Sequence, residues 1–99
     1  EAIDLKQGAF GPTQLPACHL YFNQASPSAY VRGNTRAVPY CLSLIRSLEI
    51  RGHRVLNGSR AFTLELRKSE QATLLDTLGI AYPRTLAFND PATALTHWQ

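Results

Sequence analysis

Apolar positions recur along this chain with two different periods. Val38, Cys41, Leu42, Ile45 and Leu48 fall at helical spacing, with Arg46 and Arg51 off that face. Pro39 suits a first turn and Gly52 a stop, so the pattern predicts a helix over about 38–51. Before it, Cys18-His19-Leu20-Tyr21-Phe22 is a compact apolar run that ends at Asn23 and reads as a buried strand. After it, His53–Asn57 is short and strand-like. Strand, helix, strand in that order predicts a right-handed parallel crossover. Asn57-Gly58-Ser59 then reads as a tight turn, with Ser59 as an N-cap.

The flanking pieces are less regular. Residues 1–17 are punctuated by Gly8, Gly11, Pro12 and Pro16 and read as an irregular arm, with Ala2–Leu5 as a short edge strand. Residues 23–35 carry Ser, Pro, Gly and Asn and read as a loop long enough to suggest a function. At 60–66 two readings compete. Phe62, Leu64 and Leu66 alternate with polar residues as in a strand, while Arg, Ala, Leu and Glu favour helix. Ser69 reads as a cap, Leu74, Leu75 and Leu78 as an apolar helix face, and Gly79-Ile80 as a Schellman stop reinforced by Pro83. Thr85–Phe88 reads as another strand. Asp90-Pro91 opens a last helix with Ala94, Leu95 and Trp98 on one side. The chain lacks an initiator Met and stops inside that helix, so the expectation is a piece of a longer protein, with Trp98 a packing residue parted from its partner.

Composition narrows the class. The chain has 99 residues, 44% hydrophobic and 17% charged, which is globular and not disordered. A chain this short has a thin core and gains from a neighbouring domain or a second copy. The formal charge is +3, but the basic residues are scattered and the longest basic run is Arg67-Lys68, which favours a solvated surface over a nucleic-acid stripe. Cys18 and Cys41 stand far apart and read as small hydrophobes in a reducing, cytoplasmic setting. No stretch is apolar enough to span a membrane, and the start does not read as a signal peptide.

Local catalytic signatures do not emerge. His19, His53 and His97 share no metal-ligand spacing with one another or with the cysteines. Glu49, Glu65, Glu70, Asp76 and Asp90 are spread singly, and no glycine loop of the Walker type is present. Nothing fits a Ser-His-Asp or Cys-His constellation.

A series of phrases is more informative. A strand ends in Asn23, followed by Ser26-Pro27-Ser28-Ala29-Tyr30 and Arg32-Gly33. After the amphipathic helix come Arg54-Val55-Leu56-Asn57-Gly58-Ser59-Arg60-Ala61 and Leu64-Glu65-Leu66-Arg67-Lys68. Last is Leu78-Gly79-Ile80-Ala81-Tyr82-Pro83-Arg84-Thr85. Over about residues 18–99 this series resembles the opening of bacterial ATP-grasp proteins related to glutathione synthetases and to glutamate ligases that modify ribosomal proteins. Many members carry Asp before the family lysine, where this chain has Arg67 before Lys68.

The resemblance implies an α/β fold with a small, mostly parallel sheet flanked by helices, the Rossmann-like pre-ATP-grasp domain. It places that domain at 18–83 and the start of an ATP-grasp subdomain at 84–99, and it implies helix at 60–66. It implies a parent that is an ATP-dependent carboxylate–amine ligase working through an acylphosphate with Mg²⁺. The magnesium ligands and the glycine-rich loop of such enzymes lie downstream, so this stretch is expected not to be catalytic alone. Lys68 matches the lysine that contacts nucleotide phosphate. Asn57, Gly58 and Ser59 sit at a strand end and helix start, where ligands favour parallel sheets. Asn23, Ser26, Ser28 and Arg32 form the other side of the expected crevice for a small-molecule or peptide acceptor, with Arg32 suited to a carboxylate. Arg36 and Arg60 are secondary anion candidates. Two other readings stay open: a stand-alone α/β interaction module that forms a homodimer over its sheet edge, and a basic nucleic-acid-binding domain.

Overall fold

The computed structural model describes residues 2–15 and 17–97, and for 29–31 the backbone only. Pro16 of the arm and Trp98 of the last helix lie outside the described residues. The chain divides into two compact units, residues 1–66 and 67–99.

The first unit is built on β1 (Tyr21–Phe22), α1 (Ala37–Ile50), β2 (Val55–Leu56) and α2 (Ser59–Leu66), with a 3-10 helix at Pro27–Arg32. β1 and β2 pair in parallel, Tyr21 opposite Val55 and Phe22 opposite Leu56. Two strands of two residues are marginal alone, so the helices supply the core. Cys41, Leu44, Ile45 and Leu48 line one side of α1 and are all buried. Tyr21 packs with Leu44 and Leu48, and Phe62 with Cys41 and Ile45. Leu5 of the arm touches both groups.

α1 stops as its sequence requires. Gly52 takes φ 81°, its N–H reaches Glu49 O at 2.9 Å, and His53 N–H reaches Leu48 O at 3.0 Å. That is a Schellman end, which needs a residue tolerant of positive φ. The same bonds recur in the second unit at Gly79 (φ 68°) and at Ile80, whose N–H donates to Leu75 O at 2.9 Å.

The competing readings at 60–66 resolve to helix. Phe62 is 2% exposed against α1, while Leu66 at the far end is 39% exposed. One buried aromatic on a helical face outweighs the alternation.

Four expectations are corrected. The apolar run 18–22 is a strand only at Tyr21–Phe22, and only Tyr21 is buried; Cys18 is exposed and Phe22 is 60% exposed. The reason is that α1 covers one sheet face, and Phe22 and Leu56 stand side by side on the other. Ala2–Leu5 and Thr85–Phe88 are not strands, since neither finds a backbone partner to ladder with. Ser69 is not a cap: α3 begins at Lys68, and the preceding Arg67 makes no side-chain capping bond.

The second unit holds α3 (Lys68–Thr77) and α4 (Pro91–His97). Asp90 caps α4 as expected, its Oδ2 accepting the Thr93 N–H at 2.9 Å. That backbone bond, with the Thr93 hydroxyl, holds the Asp90 carboxyl below its ordinary pKa. No residue of α3 or α4 is buried, and Leu74, Leu78, Phe88 and Leu95 are exposed. Among the described residues no helix is long and apolar enough to cross a membrane.

Candidate functional site

The two strands end at the same place, and each end carries an asparagine. Asn23 Nδ2 donates to Asn57 O at 3.0 Å, and Asn57 Nδ2 donates to Asn23 O at 3.2 Å. The Asn23 N–H also continues the ladder to Leu56 O at 3.0 Å. Asn23 Oδ1 accepts the Ala25 N–H at 3.0 Å and lies 3.7 Å from Cys41 Sγ. Asn57 has φ 54°, a conformation that Asn tolerates better than most residues because its short amide can bond locally. The junction is therefore a mutual amide clasp that fixes both carboxyl ends of the sheet.

Beside it, the 3-10 helix and α2 are joined by a polar chain. Arg32 Nη1 donates to Ser28 Oγ at 3.3 Å. Ser28 and Ser26 hydroxyls lie 2.8 Å apart, and Ser26 Oγ donates to Glu65 Oε1 at 3.3 Å. Ser26, Ser28 and Arg32 thus form one bonded chain, while Asn23 and Asn57 form a separate pair.

Gly58 and Ser59 are engaged differently, by a carboxylate that sequence reasoning passed over. Glu49 on α1 accepts the Ser59 N–H at 2.8 Å and the Ser59 hydroxyl at 2.5 Å. Arg46 Nη1 stands 3.6 Å from Glu49 Oε2 and 3.5 Å from Ser59 Oγ. A Cβ on Gly58 would collide with Glu49 Oε1. So Ser59 does not cap α2 with its own side chain. Glu49 does so from another element, placing a negative charge at the helix start. Partial burial works to raise the Glu49 pKa, but the Ser59 hydroxyl and N–H and the Arg46 charge outweigh it, and the net shift is down. The bonding accounts for Gly58 and Ser59 without a ligand. Only the turn glycine at 58 hinted at a close approach, and nothing in the sequence named Glu49 as the group approaching.

Burial pushes the Cys41 thiol up, in keeping with a small core residue. Burial likewise raises the Tyr21 phenol. The neighbouring Cys18 adds to that shift, and the buried Tyr21 hydroxyl has no hydrogen-bond partner among the described residues. No cluster of three metal-ligating side chains occurs among the described residues.

Lys68 belongs to the second unit. It is the first residue of α3, exposed, and its Nζ donates to Gln71 Oε1 at 3.4 Å. The neighbouring Arg67 is taken up by Glu70, at 2.8 Å. Arg36 and Arg60 are exposed in the first unit. Comparisons with protein-family models, with curated proteins and with solved structures give no match to this chain.

Proposed function

We propose that this chain is the opening part of an ATP-grasp carboxylate–amine ligase, its first unit a pre-ATP-grasp, Rossmann-like domain that helps to form the acceptor crevice. The observation that carries the reading is the paired junction of Asn23 and Asn57. Two asparagines, each from one phrase of the family-like series, meet at the carboxyl ends of two parallel strands, where open α/β sheets place their ligands. The helix at Ser59–Leu66 also agrees with the resemblance against the local alternation.

The residues present suit the nucleotide that the reading requires. An exposed ammonium at the first turn of a ten-residue helix would offer phosphate both a point charge and the positive end of the helix dipole. ATP, once bound, would supply the phosphoryl group that activates the acceptor carboxylate. Lys68 would hold its phosphate charge, and Arg32 would orient the carboxylate. Magnesium would be held by residues downstream of the stretch that resembles the family.

Calorimetric titration of Mg-ATP into the full-length parent protein tests this reading. Binding is expected, and Lys68→Ala is expected to weaken it about tenfold, or about 1.4 kcal/mol. Undiminished binding by the variant would remove Lys68 from the site, and no binding by the parent would remove the ligase reading.

A further inference from the structure

A cavity of about 740 Å³ opens within the first unit, beside β1. Its floor is the buried core at Cys41, Ile45 and Phe62, and Leu20, Phe22 and Ile3 also line it. Leu20 and Ile3 are 48% and 41% exposed, so the cavity presents uncovered apolar surface. Its place follows from the strand register. Tyr21 and Asn23 donate their N–H groups to Arg54 O and Leu56 O, so the Phe22 backbone faces away from β2, along the open edge. A volume of this size falls in the range of small-ligand sites, which combine apolar walls with a few polar groups.

The charged groups lining the cavity are Asp4, Lys6 and Arg32. Asp4 Oδ1 already accepts the backbone N–H of Lys6, at 2.8 Å. Arg32 donates to the Ser28 hydroxyl, and no acidic side chain pairs with it among the described residues. Two cations thus face one acid around an apolar interior. Tyr21, with its unpartnered buried hydroxyl, lines the same cavity.

We propose that this cavity binds a small monocarboxylate with an apolar tail, the carboxylate on Arg32 and the tail along Leu20 and the Ile45 floor. A guanidinium fork matches a carboxylate bidentately, and the tail covers surface that the two-stranded sheet leaves bare. The inference deepens the acceptor reading by naming the kind of carboxylate, and it rests on that reading only for the role of Arg32. Neither nucleotide nor Lys68 enters it.

The test is an amide-resolved NMR titration of the 99-residue protein with octanoate, its neutral counterpart octanamide, and the shorter acid butyrate. Octanoate is expected to bind and to shift signals at 20–25 and 37–45, with octanamide and butyrate each weaker by about tenfold or more. Arg32→Gln, at an exposed position, is expected to erase the preference for octanoate over octanamide while leaving the spectrum folded. Equal binding of octanamide and octanoate, or an unchanged preference in Arg32→Gln, overturns the proposal. So does an extended apolar peptide that shifts the β1 signals when octanoate does not, because the edge then takes a strand. Octanoate binding with no Mg-ATP binding by the parent would leave this inference standing and remove the ligase reading. The reverse pair of results would do the opposite.

Discussion

Phe62→Ala is expected to destabilise the first unit by about 3–5 kcal/mol, as large-to-small changes at buried aromatics do. Phe62 is 2% exposed and joins α2 to Cys41 and Ile45 of α1. The buried core of this unit is small: Tyr21, Cys41, Leu44, Ile45, Leu48 and Phe62. Removing its second aromatic leaves a cavity that a two-stranded sheet and two helices have little means to close. A domain of this size has a total stability on the order of 5 kcal/mol, so the variant should keep no more than about 2 kcal/mol of it. Urea titration followed through the amide signals of residues 37–66 measures the effect. Arg60→Ala, exposed on the same helix, serves as the control and should change stability by no more than about 0.5 kcal/mol. Equal losses in the two variants would mean that Phe62 is not the link between the helices.

The second large effect is expected at Glu49. Glu49→Ala removes the acceptor of both the Ser59 N–H and the Ser59 hydroxyl, and Ser59 is only 4% exposed. Leaving buried donors without a partner costs about 1–3 kcal/mol. Glu49→Gln keeps one carbonyl acceptor and should lose less. The same carboxylate sets a pH dependence. Its pKa is lower in the folded protein, where the Ser59 and Arg46 contacts overcome the effect of burial. The stability it contributes is therefore fully present above the ordinary glutamate pKa and is lost as pH falls through the depressed folded value. Urea midpoints measured from neutral pH down through the carboxylate range should fall more steeply for the natural protein than for Glu49→Gln. Parallel curves would show that the Glu49 charge does not tie α1 to the β2–α2 turn.

How far the sequence reveals this arrangement depends on whether a residue acts locally. The helix over Ala37–Ile50 and its end at Gly52 were readable because spacing, proline and glycine all act within a few residues. Gly79-Ile80 and Asp90-Pro91 were readable for the same reason. The run from Cys18 to Phe22 misled because apolar character does not say which face a neighbour covers; α1 covers Tyr21 and leaves Phe22 bare. At Ser59–Leu66 the alternation of Phe62, Leu64 and Leu66 gave way to tertiary packing of a single phenylalanine. Within the candidate site, the loop serines and Arg32 were identifiable as a polar stretch after a strand. The Asn23–Asn57 clasp spans 34 residues, and Glu49 reaches Ser59 from another helix, so neither leaves a mark in the local pattern. Lys68 owes its candidacy to the family resemblance alone.

The most direct test of the central proposal is backbone hydrogen exchange of the full-length protein with and without Mg-ATP, read peptide by peptide across this segment. The ligase reading predicts slower exchange at 67–71, around Lys68 and the start of α3. Mg-ATP that binds while 67–71 exchanges at an unchanged rate would contradict the placement of nucleotide phosphate at Lys68, and with it the role proposed for this part of the chain.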